Sequence, residues 1–393
     1  MVEGRGSSSP SLFKRIVLPG LAFKAIVIGG GYATGRELAE YFVPSGPWGG
    51  MAAMVLTAGI WSLICVVTFL FARAINAREY RTFFRSLLGP FWIAFEIVYI
   101  LAAILILAVF GAAAGAIGAA LFGWPKLFGT VCLIAGIGVA TAFGNTSVER
   151  LFKWASFVIY ATYVVFLALA LNKFGGRIAA SFAAAPGLGR GWISGGMDYA
   201  GYNVLGAAAI LAVVRQMTSS RDAITAGLLA GPLAIIPGVL LFICMCAYYP
   251  QIGSQVLPSD FLLRKLGLPV FRFVFQLMIF VALLESGTGL IHALNERIAE
   301  ARRATRGWGL QKGARFALST GLLVLSIFVA SRVGLVALIA KGYRALAYSV
   351  MIIYLLPLMT YGIWILRHQT VTRRRSPLPQ TLETESSGAE RRS

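Results

Sequence analysis

The sequence has few charged residues. Only 13% of its 393 residues are Asp, Glu, Lys or Arg, and 58% are hydrophobic, whereas ordinary soluble domains carry about 25% charged residues. Apolar runs of about 20 residues recur from end to end, and a run of that length can cross the hydrocarbon core of a membrane as a helix. These features exclude a cytosolic globular enzyme, a secreted disulfide scaffold and a disordered protein. We therefore expect a polytopic helical membrane protein.

Histidine and cysteine are also scarce. There are two histidines, which excludes a histidine-rich metal site, and four cysteines that all lie in apolar runs without disulfide or zinc-type spacing. The sequence contains neither H-E-x-x-H nor a nucleophile elbow. We predict no enzyme activity, no cofactor and no bound metal other than sodium. The expected coupling ion is either sodium or a proton.

The charge that is present is mostly basic. Lys and Arg number 35 against 15 Asp and Glu, for a net charge of +20. A nucleic-acid partner is not predicted, because most basic residues lie in short segments between apolar runs, where they mark the cytoplasmic side. More of the Lys and Arg residues lie in the connections on the side of the membrane that also holds the two termini. We expect both termini in the cytoplasm, the inner membrane of a bacterium as the location, and the lipid bilayer as the surrounding partner.

The hydrophobic pattern predicts ten transmembrane helices. Residues 1–13 and 368–393 are polar and are expected to form disordered cytoplasmic tails around a membrane domain at 14–367. A short re-entrant or interfacial piece is expected at 333–342. The ten predicted segments are 16–43, 47–72, 90–121, 126–143, 150–172, 192–214, 222–248, 269–298, 313–331 and 345–366.

The first segment carries glycines and charges where a spanning helix should be continuous. Residues 26–37 read Ile-Val-Ile-Gly-Gly-Gly-Tyr-Ala-Thr-Gly-Arg-Glu, and each glycine weakens a helix by roughly 1 kcal/mol relative to alanine. An unwound stretch here would present N–H groups to an anionic group such as a carboxylate, and carbonyls to a cation. Thr34, in the same motif, is a further candidate for solute binding. The alternative is a close helix-packing face at Gly31-x-x-x-Gly35.

The sixth segment is the other irregular one. It contains Tyr199, Tyr202 and Asn203, which can hydrogen-bond a polar solute and stack on its apolar part. The alternative is an aromatic belt with a satisfied asparagine. Interrupted helices at the start of two sets of five segments predict a transporter built from inverted repeats, at about 15–173 and 190–366.

The eighth segment places an acid near mid-depth. Glu285 there is costly unless it is paired, protonated or bound to a cation, so it is a functional candidate. Ser286 and Thr288 offer hydroxyl oxygens to a cation such as sodium, and His292 lies two helical turns further on. The alternatives are a structural partner for a buried base such as Lys24, hydroxyls bonded to carbonyls one turn earlier, and a core or interfacial histidine.

These motifs resemble the YkvI-type bacterial membrane proteins. The resemblance is carried by G-G-G-Y-A-T-G-R-E in the first segment, by Tyr202-Asn203, and by E-S-G-T-G-L-I-H-A-L-N-E-R in the eighth. That family is placed in the amino acid–polyamine–organocation superfamily. The resemblance therefore implies the LeuT fold, an all-α arrangement with a five-plus-five inverted repeat in which helices 1 and 6 are interrupted.

The resemblance also implies roles for individual residues. Gly29, Gly30 and Gly31 would offer N–H groups to a solute carboxylate. The carbonyls of Ala25 and Ile28, together with the Ser286 hydroxyl, would line a cation site. Two departures from the superfamily pattern are Glu285, where sodium-coupled members have threonine, and Arg36 in place of the family's glutamine. Glu285 leaves sodium and proton coupling both open, and Arg36 would add an anion contact.

The sequence thus predicts a secondary active transporter of a small polar solute, first of all an amino acid. Coupling to sodium or protons by alternating access follows from the candidate cation site. A channel would need a continuous polar stripe, which segments two, four and seven lack. A non-transporting receptor or sensor, or a structural membrane protein on the same scaffold, is the alternative. The oligomeric state does not follow from the sequence.

Overall fold

The computed structural model describes residues 11–28, 30–77, 79–142, 146–214, 216–306 and 311–368, and every regular element in these ranges is helical. Most of the predicted tails 1–13 and 368–393, namely residues 1–10 and 369–393, lies outside the described residues, as does Gly29 of the first segment. The inner ends of both tails are helical instead, because a helical segment begins at Phe13 and the last helical stretch runs to His368. Phe13–Val17 leads directly into the first α-helix.

The α-helices are numbered here along the chain. They are α1 (Leu18–Val27), α2 (Gly30–Ala33), α3 (Arg36–Tyr41), α4 (Gly46–Ala74), α5 (Tyr80–Leu88), α6 (Trp92–Phe122), α7 (Lys126–Ala142), α8 (Thr146–Ala184), α9 (Trp192–Asn203), α10 (Leu205–Ala209), α11 (Leu211–Val214), α12 (Ser220–Cys246), α13 (Pro258–Leu266), α14 (Pro269–Arg306), α15 (Lys312–Val333), α16 (Leu335–Ala337) and α17 (Arg344–Val350). Short 3₁₀ segments lie at Val43–Ser45, Gly89–Phe91 and Gln251–Ser254, and π-helical segments at Phe13–Val17, Leu338–Tyr343, Met351–Leu355 and Leu358–Gly362.

The described part of the chain has seven helical stretches that are long and apolar enough to cross a membrane. A shorter apolar helix runs from Lys126 to Thr141. The prediction of an all-α, multi-pass membrane protein is therefore confirmed. The seven stretches are Arg36–Ala74, Tyr80–Phe122, Val158–Ala184, Ser220–Cys246, Pro269–Ala299, Gly313–Val333 and Leu335–His368.

The turn predicted between the third and fourth apolar segments lies where the sequence placed it. Helix α6 ends at Phe122, Gly123 adopts φ +69°, and α7 begins at Lys126. The two helices then cross closely, because a Cβ added at Gly129 would lie 2.6 Å from the carbonyl oxygen of Ala114. Small residues permit this backbone approach in a membrane, where apolar burial between helices gives little driving force.

The piece predicted at 333–342 as re-entrant or interfacial is continuous with the helix that follows it. Gly334 ends α15 with φ +81°, and the chain then runs as one helical stretch from Leu335 to His368. A single residue with positive φ, which glycine adopts without strain, suffices for this turn. The new helix buries Leu335, Leu338 and Ile339 from its first turns, so it forms part of the packed domain.

Helix α5 is an additional element that the sequence analysis counted as a connection. It buries Phe83, Phe84 and Leu87 on one side, and Arg85 lies over the Trp92 ring at 4.7 Å from its centroid. Apolar residues at this spacing form one face of a helix. This apolar pattern is short, and the arginines beside it made the segment resemble a basic connection between helices.

The long helices pack in a repeated pattern. Helix α1 packs against α12 as α9 packs against α4, and α6 packs against α15 as α14 packs against α7. Among the described helices, α4 and α12 pack against each other most extensively. There, Cβ atoms added at Gly227 or Gly231 would collide with the opposing helix, and Ser62 donates to the carbonyl of Leu228 at 2.9 Å.

Candidate functional site

The helix of the first segment is broken twice. Helix α1 ends at Val27, and Ile28 leaves helical geometry with φ −79° and ψ +69°. Helix α2 has only four residues, and a turn at Thr34 and Gly35, where Gly35 has φ +76°, precedes α3. The predicted solute-binding residues Gly30 and Gly31 open α2.

The sixth segment remains helical through its first glycines. Helix α9 runs without interruption from Trp192 to Asn203, and turns at Val204 and Ile210 separate α10 and α11 from it. A Cβ added at Gly195 would collide with the carbonyl oxygen of Tyr41, and one at Gly196 would lie 2.8 Å from that of Ala53. These glycines therefore allow α9 to pack closely on α3 and α4.

Four buried tyrosines meet where α3, α9 and the Leu338–Tyr343 segment converge. The ring centroids of Tyr199 and Tyr202 are 5.6 Å apart, and those of Tyr202 and Tyr343 are 4.5 Å apart. Tyr41 lies 5.7 Å from Tyr199 and 6.0 Å from Tyr202. The structure thus places the predicted residues Tyr199 and Tyr202 in one aromatic cluster, called here the tyrosine cluster and formed by Tyr41, Tyr199, Tyr202 and Tyr343.

A carboxyl group lies within the tyrosine cluster. Glu37 is only 5% exposed, and the Tyr202 hydroxyl donates to its Oε2 at 2.7 Å. No ion pair within 4.0 Å involves Glu37 among the described residues. Sequence reasoning noted this acid but did not select it. The rule that marked Glu285, an acid inside an apolar run, applies equally to Glu37.

Two other predicted solute-binding residues are held by backbone contacts. Thr34 is fully buried, and its carbonyl accepts from the N–H of Ser259 at 3.0 Å. The side-chain Nδ2 of Asn203 donates to the carbonyl of Tyr199 one turn earlier at 3.0 Å. Asn203 is half-buried and is the last residue of α9, directly after Tyr202 of the tyrosine cluster.

The guanidinium of Arg36 is bound within the protein at both Nη atoms. Nη2 pairs with Glu40 at 2.7 Å, and Nη1 donates to the carbonyls of Gly253 and Gln255 at 2.8 Å each. These bonds tie α3 to the Gln251–Ser254 turn, while Nε has no hydrogen-bond partner among the described residues, so the expected anion contact stays a prediction.

The predicted cation-binding residues form a second group. Helix α2 packs against α14, so the first break lies beside the helix that carries Glu285 and Ser286, both half-buried. The Thr288 hydroxyl donates to the carbonyl of Leu284 at 2.7 Å, which is the local bond that the sequence left open. Ala25 and His292 are exposed, and Ile28 is half-buried.

Lys24 lies close to this second group. Its Nζ is 4.7 Å from the ring centroid of Tyr160 on α8, and the same tyrosine lies within electrostatic reach of Glu285. The lysine and the acid thus face one tyrosine from two helices, α1 and α14. This arrangement agrees with the suggestion that Lys24 is a nearby base for Glu285.

Sequence reasoning missed a buried aspartate between α13 and α14. Asp260 is 2% exposed. Arg272 Nε donates to its Oδ1 at 2.7 Å, Gln276 Nε2 donates to the same oxygen at 3.0 Å, and Arg264 lies 3.2 Å from Oδ2. An i, i+4 pair of Asp260 and Arg264 was visible in the sequence, but its burial was not. Because its carboxylate is fully bonded within the protein, we interpret Asp260 as a residue that stabilises the packing of α13 against α14.

Comparisons with known proteins place this geometry in a known fold. The chain has TM-scores of 0.56 with MhsT in complex with L-phenylalanine (15% identity, 93% of this chain, 99% of that chain), 0.61 with a Na⁺-coupled sialic acid symporter (12% identity, 89% and 80%), and 0.54 with an Eremococcus coleocola manganese transporter (15% identity, 94% and 87%). The fold is that of LeuT-type membrane proteins.

The resemblance to the YkvI-type proteins is also confirmed. The chain is 23% identical over 308 residues to the uncharacterized membrane protein YkvI of Bacillus subtilis. The aligned residues cover 76% of this chain and 83% of that protein. No family model matches the sequence. Among the described residues, no group of three or more His, Cys, Asp or Glu could hold a metal ion.

Proposed function

We propose that this protein is a secondary active transporter of a small polar solute, with an amino acid as the first candidate. Transport is coupled to sodium or protons and proceeds by alternating access. The observation that carries the proposal is the twice-broken first helix, whose pieces contact both the tyrosine cluster and α14. In a membrane, helical breaks persist only where the freed backbone groups are buried in protein or line a cavity. Such breaks near mid-depth form the solute and ion sites of transporters.

We further propose ten membrane-spanning segments. The seven long apolar stretches and the Lys126–Thr141 helix account for eight of them. The remaining two would be the first and sixth segments, which the structure divides into shorter helices, α1 to α3 and α9 to α11. Interruption at the first segment of each set of five is what two related halves would produce.

The packing pattern supports the inverted repeat. If segments one to five correspond to six to ten, the pair α1–α12 must recur as α9–α4, and α6–α15 must recur as α14–α7. Both correspondences occur in the structure. Two proteins that share the fold agree with this proposal: MhsT forms a complex with L-phenylalanine, and the sialic acid symporter is Na⁺-coupled.

The solute would bind between the start of α2 and the end of α9. Backbone N–H groups of Gly30 and Gly31 would meet an anionic group such as a carboxylate, while Tyr202 and Asn203 would contact the polar and apolar remainder. The coupling ion would bind beside Glu285 and Ser286, because α14 packs against α2. Binding of both at one helical break would couple their affinities.

A thermal-shift screen tests this proposal. Purified protein is melted with each amino acid, with and without sodium, at two pH values. A ligand that binds only the folded state raises the melting temperature by mass action. We expect one class of amino acid to stabilise the protein, with sodium or acidity increasing the shift. A panel that leaves the melting temperature unchanged under every condition would contradict the amino-acid assignment.

A further inference from the structure

Glu37 is the buried acid whose surroundings the transport proposal has not used. It lies on α3, is 5% exposed, and accepts one hydrogen bond, from Tyr202. Five tyrosines lie within electrostatic reach of its carboxylate: Tyr32, Tyr41, Tyr199, Tyr202 and Tyr343. All five are buried. The Tyr202 hydroxyl bonds the carboxyl group, whereas those of Tyr32 and Tyr41 donate to backbone carbonyls.

The basic groups around this site are bound to other acids. Arg36 adjoins Glu37 in the sequence, but its guanidinium pairs with Glu40 at 2.7 Å. Arg344 adjoins Tyr343, but its Nε bonds Asp198 at 3.0 Å. The charged and titratable groups that face the site from all packed elements are Tyr32 on α2, Arg36, Glu40 and Tyr41 on α3, Asp198, Tyr199 and Tyr202 on α9, and Tyr343 and Arg344 beyond α16.

An ionised carboxylate here would be a buried charge with a single hydrogen bond. Such a charge is disfavoured by several kcal/mol in an apolar interior unless it is paired or neutralised. The rings are packed at centroid distances of 4.5 to 6.0 Å, and a proton is the one cation that needs no additional space there.

We propose that Glu37 is a proton-binding site of the transport cycle, protonated in the arrangement seen here, in which Tyr202 donates to its Oε2. Its role in transport rests on the proposed function, whereas proton binding itself does not. The site is distinct from Glu285, which lies on α14, the helix that packs against α2 and α8.

The hydroxyl of Tyr199 provides a second observation at the same place. Tyr199 is fully buried, and its hydroxyl has no hydrogen-bond partner, although a buried polar group left unpaired costs about 1–3 kcal/mol. Tyr199 belongs to the same tyrosine cluster as Tyr202, the residue that bonds Glu37. If Glu37 loses its proton, the unpaired hydroxyl of Tyr199 would be available as a further donor in this cluster.

Infrared spectroscopy of the purified full-length protein tests proton binding without any solute. The wild-type protein should show the carbonyl band of a neutral carboxylic acid at neutral pH, Glu37→Gln should lose part of that band, and Glu40→Gln should retain it. Glu40 is the matched control because it lies on the same helix and is paired with Arg36. Identical carbonyl bands in the wild type and in Glu37→Gln would overturn the proposal.

A second variant keeps the test valid if Glu37→Gln does not fold. Tyr202→Phe preserves the ring and removes only the hydroxyl that bonds Glu37. The carbonyl band should then move to higher frequency, because a carboxyl group released from a hydrogen bond has a stiffer carbonyl. An unshifted band in Tyr202→Phe would contradict the site. A protein that shows these bands but moves no solute would refute the transport proposal and leave the proton site standing.

Discussion

A single buried aspartate fixes α13 against α14. The carboxylate of Asp260 is bonded by Arg272 and Gln276 and has almost no exposure to solvent. Such a network contributes most visibly when one partner is removed, since the remaining charge is then buried without compensation. Replacing Asp260 by alanine therefore measures how much this network contributes to the stability of the fold.

Asp260→Ala should destabilise the protein by about 3 kcal/mol, because Arg272 would lose its carboxylate partner. The melting temperature of the purified variant measures this loss. Glu296→Ala is the matched control, since the Glu296–Arg315 pair is partly exposed on both sides and exposed pairs contribute at most about 1 kcal/mol. Equal melting temperatures for the two variants would show that Asp260 does not hold these helices together.

The tyrosine cluster permits a prediction about solute binding. Tyr202→Ala should weaken solute affinity by about tenfold or more, because it removes both a hydroxyl and a ring from the proposed site. Tyr348→Ala is the control, since Tyr348 is 52% exposed. Affinity is measured by the ligand-dependent melting shift. A tenfold loss in the control, or none in Tyr202→Ala, would remove Tyr202 from the solute site.

At this scale the sequence identified residue types better than their surroundings. Tyr199 and Tyr202 were selected because polar aromatic residues are unusual in a spanning segment, and the structure places them together. Glu37 was not selected because its contacts come from α9, which lies far away in the chain. Thr288 shows the opposite case, since its hydroxyl bonds locally to Leu284.

Among the elements, α9 depends on close approach to its neighbours. Gly195 and Gly196 face the backbone of α3 and α4 without room for a side chain. Glycine is retained there although it weakens a helix, because the packing of α9 on these helices requires it.

Gly195→Ala should lower the melting temperature, since the added methyl group would collide with the carbonyl of Tyr41 and force α9 away from α3. A loss of about 1–3 kcal/mol is typical for overpacking. Gly176→Ala on α8 is the control, because nothing lies within 4 Å of its added Cβ, and alanine favours the helix there. A variant at 195 as stable as the one at 176 would contradict this packing.

The elements were predictable where hydrophobic runs are long. Each of the seven long apolar stretches overlaps a predicted segment, and the turn at Gly123 lies in the gap predicted between 90–121 and 126–143. The piece predicted at 333–342 is continuous with the following helix, because the lone Gly334 makes the turn after α15. Helix α5 was missed because its nine residues give too few apolar repeats to stand out from a basic connection.

For the whole molecule, the distribution of Lys and Arg predicts the orientation. Arg264, on α13, is expected outside the cell, and Gln311, before α15, is expected in the cytoplasm. Single cysteines at these positions in a background without the four native cysteines should react differently with a membrane-impermeant maleimide. Arg264→Cys should be labelled on intact cells and Gln311→Cys only after permeabilisation. Labelling of both on intact cells would contradict ten spans.

The fold as a whole could be predicted because two kinds of signal agree. Hydropathy predicts an all-α, multi-pass membrane protein, and the motifs of the first, sixth and eighth segments carry the resemblance that implies the LeuT fold. Substrate identity could not be predicted, since it depends on the shape of a site lined by backbone groups of α2 and by side chains from α9. Neither shape nor backbone direction is readable from residue types alone.

Uptake into proteoliposomes tests the central claim most directly. The protein is reconstituted into vesicles with an amino acid identified by thermal shift, and an inward gradient of sodium or of protons is imposed. We predict accumulation above equilibrium that requires the gradient, collapses with an ionophore, and is lost in Glu285→Gln while exchange of solute partly persists. A solute that binds but never accumulates under either gradient would contradict ion-coupled transport and would favour a receptor on this scaffold.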